Sequence, residues 1–195
     1  MKLLLATHNK NKIIEIKNAL QELDVELLSL DDFPDLPDVI EDGDTLEHNS
    51  LKKAREIFEY SGITTLADDT GLEIEYLNGD PGVYSARWAG EDCSYEDNNR
   101  KMLRELDGVS IGKRDAVFRC VITLFGENLH ETTEGVLKGK IIEAFKGQKG
   151  FGYDPIFKPE GFDITLAEMS LDDKNKISHR GLAVKAMVGV IKGIK

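Results

Sequence analysis

Residues 66–74, "LADDTGLEI", place two carboxylates side by side where an apolar run meets a glycine. On an extended strand successive side chains point to opposite faces, so Asp68 and Asp69 should not serve one site equally. One of them could ligate a divalent cation or activate a water at the strand end. The other could brace a turn through Thr70 or neighbouring amides, and an Asx-type turn alone accounts for the pair equally well. Glu41, in "IEDGDT", is the natural second carboxylate, because Asp44 and Glu47 already resemble a capping pair for the next helix. A Mg²⁺ held by one or two carboxylates plus substrate phosphates is a common arrangement. A solvated loop acid is the plainer alternative for Glu41.

Three further segments gather cations or flexible backbone. In "THNKNK" (7–12), Thr7 and Asn9 can cap a helix or donate hydrogen bonds, with His8 between them and Asn11 between the two lysines. Lys10 and Lys12 in a first turn oppose the helix macrodipole, a conflict that a bound polyphosphate would reverse. The segment lacks the GxxxxGK[ST] pattern of a Walker A loop, and an Asn-capped surface helix remains an alternative. In "GFGYD" (150–154), Gly150 and Gly152 allow close backbone approach. Phe151 or Tyr153 offers a ring for stacking on a base and Asp154 an acceptor; a turn with two core aromatics is the alternative. In "KNKISHRG" (174–181), Lys174 and Lys176 precede Ser178, which is placed to cap the last helix. His179 and Arg180 then fall in its first turn, again against the dipole, where an anionic or carbonyl-bearing ligand would relieve them. A solvated basic patch is the competing account. One metal–nucleoside-polyphosphate site explains all of these features together.

The elements that must position these residues follow from periodicity. "KLLLA" (2–6) reads as a buried strand, followed by a helix with Ile13, Ile16, Leu20 and Leu23 at helical spacing. A second strand is expected at 24–30, a Pro- and acid-rich loop at 31–43, and a helix with Leu51, Ala54 and Phe58 on one face. Strands are expected at 63–67 and at 72–76, where Leu72, Ile74 and Tyr76 alternate with Glu73 and Glu75. An irregular Gly-rich stretch (78–90) leads to a helix from about Ser94 to Leu106. "DAVFRCVITLF" (115–125), apolar on nearly both faces, reads as a central strand, and a polar strand follows at 129–140. A Gly-rich loop (146–157) and an amphipathic helix bearing Leu182, Ala186 and Val190 complete the chain. No repeat, linker or low-complexity stretch interrupts 195 residues, so one mixed α/β unit is expected.

Composition bounds the function. The net charge of −11 argues against a protein whose main task is gripping a nucleic-acid backbone, yet a small anion needs only a local cluster of the 25 Lys and Arg. An apolar fraction of 41% with 31% charged residues reads as soluble and globular. Cys93 and Cys120 lack metal-ligand spacing and read as reduced thiols in the cytoplasm. The apolar run after Met1 is too short for a signal-peptide core, and no stretch approaches a membrane span.

The blocks "LLLATHNKNKIIEIK", "LADDTGLEIEYLNGDPGVYSARWAG", "GQKGFGYDPIF" and "ISHRG" resemble, nearly end to end, the Ham1-like inosine/xanthosine triphosphate pyrophosphatase family. The resemblance implies a two-lobed α/β fold: a long twisted mixed sheet flanked by helices, an active cleft between the lobes, and usually a homodimer. It implies Mg²⁺-dependent hydrolysis of ITP, dITP and XTP to nucleoside monophosphate and pyrophosphate. Asp69 would be the general base and, with Glu41, a Mg²⁺ ligand. Thr7, His8, Asn9, Lys10, Asn11 and Lys12 would hold the triphosphate, with Thr70 nearby. Phe151, Gly152, Tyr153, Asp154, Lys174, His179 and Arg180 would form the nucleobase pocket. His8 departs from the family pattern, in which glycine or another small residue is common there. A hydrolase preferring other nucleotides, or a purine-nucleotide sensor without turnover, would share these features.

Overall fold

The protein is described by a computed structural model covering residues 1–194. Strand β1 (Lys2–Leu5) turns into helix α1 (Lys10–Leu20), and β2 (Glu26–Ser29) follows. Helix α2 (Leu46–Ser61) precedes the strand that carries the acid pair, β3 (Thr65–Ile74). The two-residue strand β4 (Pro81–Gly82), helix α3 (Tyr95–Glu105) and the long strands β5 (Asp115–Gly126) and β6 (Leu129–Ile141) come next. The chain ends with β7 (Phe157–Pro159), the short α4 (Leu171–Ile177) and α5 (His179–Ile194).

The strands form one sheet in the order β2-β1-β3-β5-β6-β7, with β4 attached to β3. β1 runs parallel to both β2 and β3, whereas β4 and β7 lie antiparallel on β3 and β6. The sheet is therefore mixed, as the α/β expectation required. β5 lies in the interior of this order, between β3 and β6, as the central-strand expectation required.

Two compact units emerge. The first comprises Met1–Asp69, Cys120–Gly135 and α5, and the second comprises Thr70–Arg119 and Val136–Ser178. In the first unit, alternation along β1 feeds two apolar clusters. Leu3 and Leu5 join Ile16, Leu66, Ile122 and Met187, while Leu4 and Ala6 join Ala54, Ile57 and Ala67. The second unit is built on Leu72, Ile74, Met102, Phe118, Ile156 and Phe157. Each such fully buried aliphatic or Phe side chain contributes about 1.5–3 kcal/mol of transfer free energy. Among the described residues no helix is long and apolar enough to cross a membrane.

Several expectations are corrected. The cap of α2 is Thr45, whose hydroxyl accepts from the His48 amide at 3.1 Å, one residue beyond the Asp44–Glu47 pairing. The buried face of α2 carries Leu46, Asn49, Ser50, Lys53, Ala54 and Ile57; Leu51 and Phe58 are only half-buried. The two strands expected at 63–67 and 72–76 are one, because Asp68 to Gly71 continue the ladder instead of turning. Tyr76 falls beyond it in a 3₁₀ turn, half exposed. Helix α4 is an element for which the sequence carried no assignment. In α5 the buried positions beyond Gly181 are Ala183, Val184, Met187 and Ile191, centred one residue step, about a hundred degrees, round the helix from Leu182, Ala186 and Val190.

Candidate active site

The unbroken course of β3 decides the geometry of the acid pair. With no turn between them, Asp68 and Asp69 project to opposite sides and meet different partners. Behind them the strand is anchored by Ser50 of α2, whose hydroxyl donates to the Ala67 carbonyl at 3.1 Å and contacts Thr123 Oγ1 at 2.9 Å.

Asp68 is bound into a buried ionic chain. Its Oδ2 meets Lys12 Nζ at 3.0 Å and accepts from Arg180 Nε at 3.1 Å. The other end of the guanidinium donates to Glu15 of α1. Burial works against ionising Asp68, but Lys12, Arg180 and Lys53 outweigh it and hold the carboxyl well below the usual carboxylate range. The chain ties α1 and α5 to the strand, and it places Lys12 at the acid pair.

Asp69 is in the contrary electrostatic state. Burial pushes its carboxyl above the ordinary value and Glu41 adds to the rise, while Lys53, Lys12 and a hydrogen bond from Asn49 pull it back. Lys53 organises this side. Its ammonium lies 2.7 Å from Glu41 Oε1 and donates to the Asp68 carbonyl. Burial opposes that charge, yet Glu41, Asp68 and Asp69 together hold the Lys53 pKa above its ordinary value. Sequence reasoning passed over Lys53, Asn49 and Glu15. A signal existed for the first two: Asn49, Ser50 and Lys53 share the buried face of α2 with Leu46 and Ile57, and polar groups on such a face need partners.

The phosphate-loop residues open α1. The Asn9 side chain caps the helix, accepting from the amides of Asn11 and Lys12 at 3.0 and 3.3 Å. Thr7 Oγ1 accepts from the Asn9 amide at 3.2 Å. No acidic residue occupies the first turn, where Lys10 is exposed and Asn11 half-buried. His8 faces the acidic loop instead, with Nε2 3.2 Å from Asp38 and Nδ1 3.8 Å from Asp31. His179 and Arg180 begin α5 and are buried in this first unit. The helix start passes close over β6 at Gly135, where an added Cβ would lie 2.0 Å from the His179 carbonyl oxygen.

Phe151, Gly152, Tyr153, Asp154 and Lys174 are brought together in the second unit; Thr70 is also assigned there, half-buried. Gly150 and Gly152 adopt φ of 71° and 61°, the left-handed region that glycine supplies without strain. A Cβ on Gly150 would lie 2.0 Å from Asp154 Oδ2. That same oxygen accepts from the Phe151 amide at 2.8 Å and pairs with the buried Lys174 ammonium. Lys174 Nζ also lies 4.8 Å from the centre of the Phe151 ring, and Tyr95 backs the ring at 5.8 Å. The Tyr153 hydroxyl donates to the Ser85 carbonyl at 2.9 Å, and burial pushes its pKa well up, so it anchors the loop as a neutral phenol.

The donor chemistry fits a hard divalent cation. Glu41 and Asp69 offer carboxylate oxygens, and among the described residues no group of three or more His, Cys, Asp or Glu could enclose a metal.

The sequence model of the Ham1 family matches residues 3–190. The chain belongs to the Ham1 family. A relative from Elusimicrobium minutum named dITP/XTP pyrophosphatase is 50% identical, over 98% of this chain and all of its own length. The solved Ham1 protein of Staphylococcus aureus is 36% identical and superposes with a TM-score of 0.89, each chain covered in full. A HAM1 protein from Coxiella burnetii, also 36% identical, gives a TM-score of 0.90 over 99% of both chains. The Ham1 fold thus accounts for the mixed sheet and its flanking helices.

Proposed function

We propose that the protein hydrolyses non-canonical purine nucleoside triphosphates, ITP, dITP and XTP, to the nucleoside monophosphate and pyrophosphate. The observation that carries this is the division of labour in the acid pair. One carboxylate is locked by Lys12 and Arg180, while its neighbour is raised by burial beside Glu41, as a proton acceptor near neutrality should be. The names of the relatives point the same way.

In this mechanism the capped start of α1 binds the triphosphate through amides and through Thr7, Asn9, Lys10 and Lys12, whose charges then meet phosphate and no longer oppose the dipole. Asp69 takes a proton from the water that attacks the α-phosphorus. The bond to the β-phosphate bridging oxygen breaks, and Lys10 and Lys12 stabilise the departing pyrophosphate. Glu41 and Asp69 would hold Mg²⁺, which when bound neutralises phosphate charge and lowers the pKa of its water. Lys53, against Glu41 and the Asp68 carbonyl, holds this side of the site in place. In the second unit, Phe151 provides a stacking face, while Lys174 and Asp154 provide a donor and an acceptor for the base edge. A donor aimed at a 6-oxo group disfavours adenine, since each buried group left unmatched costs about 1–3 kcal/mol. A cytoplasmic homodimer accords with the family resemblance.

A pyrophosphate-release assay across ITP, dITP, XTP, ATP and GTP, with and without Mg²⁺, tests the proposal. Release confined to the first three and dependent on Mg²⁺ supports it. Equal rates on ATP, or no turnover of any of the five, overturns it.

A further inference from the structure

We propose that Asn99 is a positioning residue for nucleobase recognition: it holds the Gly152 carbonyl from α3 and thereby sets the Phe151 ring and the Asp154–Lys174 pair. The inference rests on the reading of residues 150–154 as the base-recognition loop.

Asn99 is 2% exposed and cannot itself reach a ligand from the solvent side. Its amide nitrogen donates to the Gly152 carbonyl at 2.7 Å and to the Tyr95 carbonyl of its own helix at 2.8 Å. Both protons are thus spent on carbonyls, which fixes the orientation of the amide. Its Oδ1 is buried and has no hydrogen-bond partner among the described residues. An apolar side chain of similar volume would avoid that desolvation cost, and asparagine is a mediocre residue for a helix interior. The donor to Gly152 is what the position gains in exchange.

The bond falls where the loop needs it. Gly152 has φ of 61°, and its peptide toward Tyr153 is free of side-chain steric constraint on that side. Without that bond the ψ of Gly152 and the φ of Tyr153 gain freedom, which loosens the placement of Tyr153 and Asp154 relative to Phe151. The other hydrogen bonds of the loop act elsewhere: Asp154 Oδ2 accepts from the Phe151 amide and Lys174, the Asp154 amide donates to the Phe151 carbonyl at 3.3 Å, the Ile156 and Phe157 amides donate to the Tyr153 carbonyl, the Ala167 amide donates to the Asp154 carbonyl at 3.3 Å, and the Tyr153 hydroxyl donates to Ser85. Asn99 is therefore the side chain that holds the peptide between the stacking ring and the acidic acceptor. Tyr95, four residues earlier on the same helix, backs that ring.

Asn98 supplies an internal control. It is equally buried, but its amide accepts from the Ala89 amide at 2.7 Å and donates to the Ala86 carbonyl at 3.0 Å, so it secures a different segment. Asn99→Leu keeps the volume and removes the donor; Asn99→Ser is the second variant should the first not fold. Each is compared with Asn98→Ser in the Mg²⁺-loaded enzyme on ITP and ATP, and by hydrogen exchange of the Phe151 and Asp154 amides. The Asn99 variants are expected to lower the ITP-over-ATP ratio of kcat/KM about tenfold, mainly through KM for ITP, and to speed exchange at both amides. Asn98→Ser is expected to lower Tm without changing the ratio. A folded Asn99 variant with the wild-type ratio and KM overturns the proposal, as does an equal change in Asn98→Ser. Should the wild-type protein release no pyrophosphate from ITP, the base-recognition reading fails by itself. The exchange measurement then judges the clamp, and unchanged exchange in the Asn99 variant overturns it.

Discussion

Arg180 Nε donates to Asp68 Oδ2 at 3.1 Å in a place where neither side chain is more than 3% exposed. The same oxygen also receives Lys12, so one carboxylate joins the start of α1, the acid strand and the start of α5. Adjacent like charges thus coexist because Lys12 and Lys53 act on both carboxylates while Arg180 pairs with Asp68. Removing one partner of such a buried pair leaves an uncompensated charge, at a cost of about 3–5 kcal/mol. Asp68→Asn is expected to lower stability by that order, read as a reduced midpoint in urea unfolding with an unchanged slope.

Asp69→Asn should behave oppositely. Its carboxyl is raised by burial, so a neutral amide of the same shape suits the site and folding stability should hold or rise slightly. Turnover of ITP should fall by a factor of about a thousand or more, consistent with loss of both a general base and a metal ligand. Nucleotide binding should persist, measured by calorimetry with ITP. A variant retaining near-wild-type hydrolysis would exclude Asp69 as the base.

Phe151 is half-buried, backed by Tyr95 and faced by Lys174. Stacking of a base on an aromatic side chain is worth about 1–3 kcal/mol, so Phe151→Ala should raise KM for ITP roughly tenfold. Because that contact is made equally in ground and transition states, kcat should change little. A large fall in kcat at constant KM would place the ring elsewhere in the reaction.

Much of the fold was legible because its signals are local. The apolar run of β1, the spacing of Ile13, Ile16 and Leu20 and the two-sided apolarity of β5 each fall within one window. The acid pair was harder. Asp68, Asp69, Thr70 and Gly71 carry turn chemistry, yet tertiary partners override it: Lys12, Arg180, Lys53 and Asn49 arrive from α1, α5 and α2. No window around residue 68 contains them, so the strand was divided in two. The same holds for Lys53, which drew no reading from the sequence although it is buried against Glu41. Arg180 was expected at the base, and the structure places it on Asp68 and Glu15, a pairing across the length of the chain.

Four acids that close capping boxes or caps, Asp32, Asp97, Glu168 and Asp173, are held below their ordinary pKa by hydrogen bonds from Ser29, Ser94, Thr165 and Ser170. A depressed folded pKa means the contribution is full above the unfolded value and is lost as pH falls through that value to the folded one. The window therefore opens near pH 4 and extends downward. Asp97→Asn is expected to lower Tm at pH 7, and the gap from wild type should close as the pH drops below about 4. A gap that persists unchanged in acid would show that α3 is not supported by this cap.

Gly135 joins backbone geometry to the site. An added Cβ would sit 2.0 Å from the His179 carbonyl oxygen and 2.5 Å from the Ala183 amide nitrogen, both backbone atoms that no rotamer change can move. Gly135→Ala must therefore displace the first turn of α5 from β6. Arg180 lies in that turn and reaches Asp68 and Glu15, so the displacement weakens the ionic chain as well as the packing. Overpacking of this kind costs about 1–3 kcal/mol. The expected result is a lowered Tm together with reduced affinity for nucleotide, since Lys12 shares the carboxylate that Arg180 helps to hold. A variant with the stability and affinity of the wild type would mean that α5 can shift without disturbing Asp68.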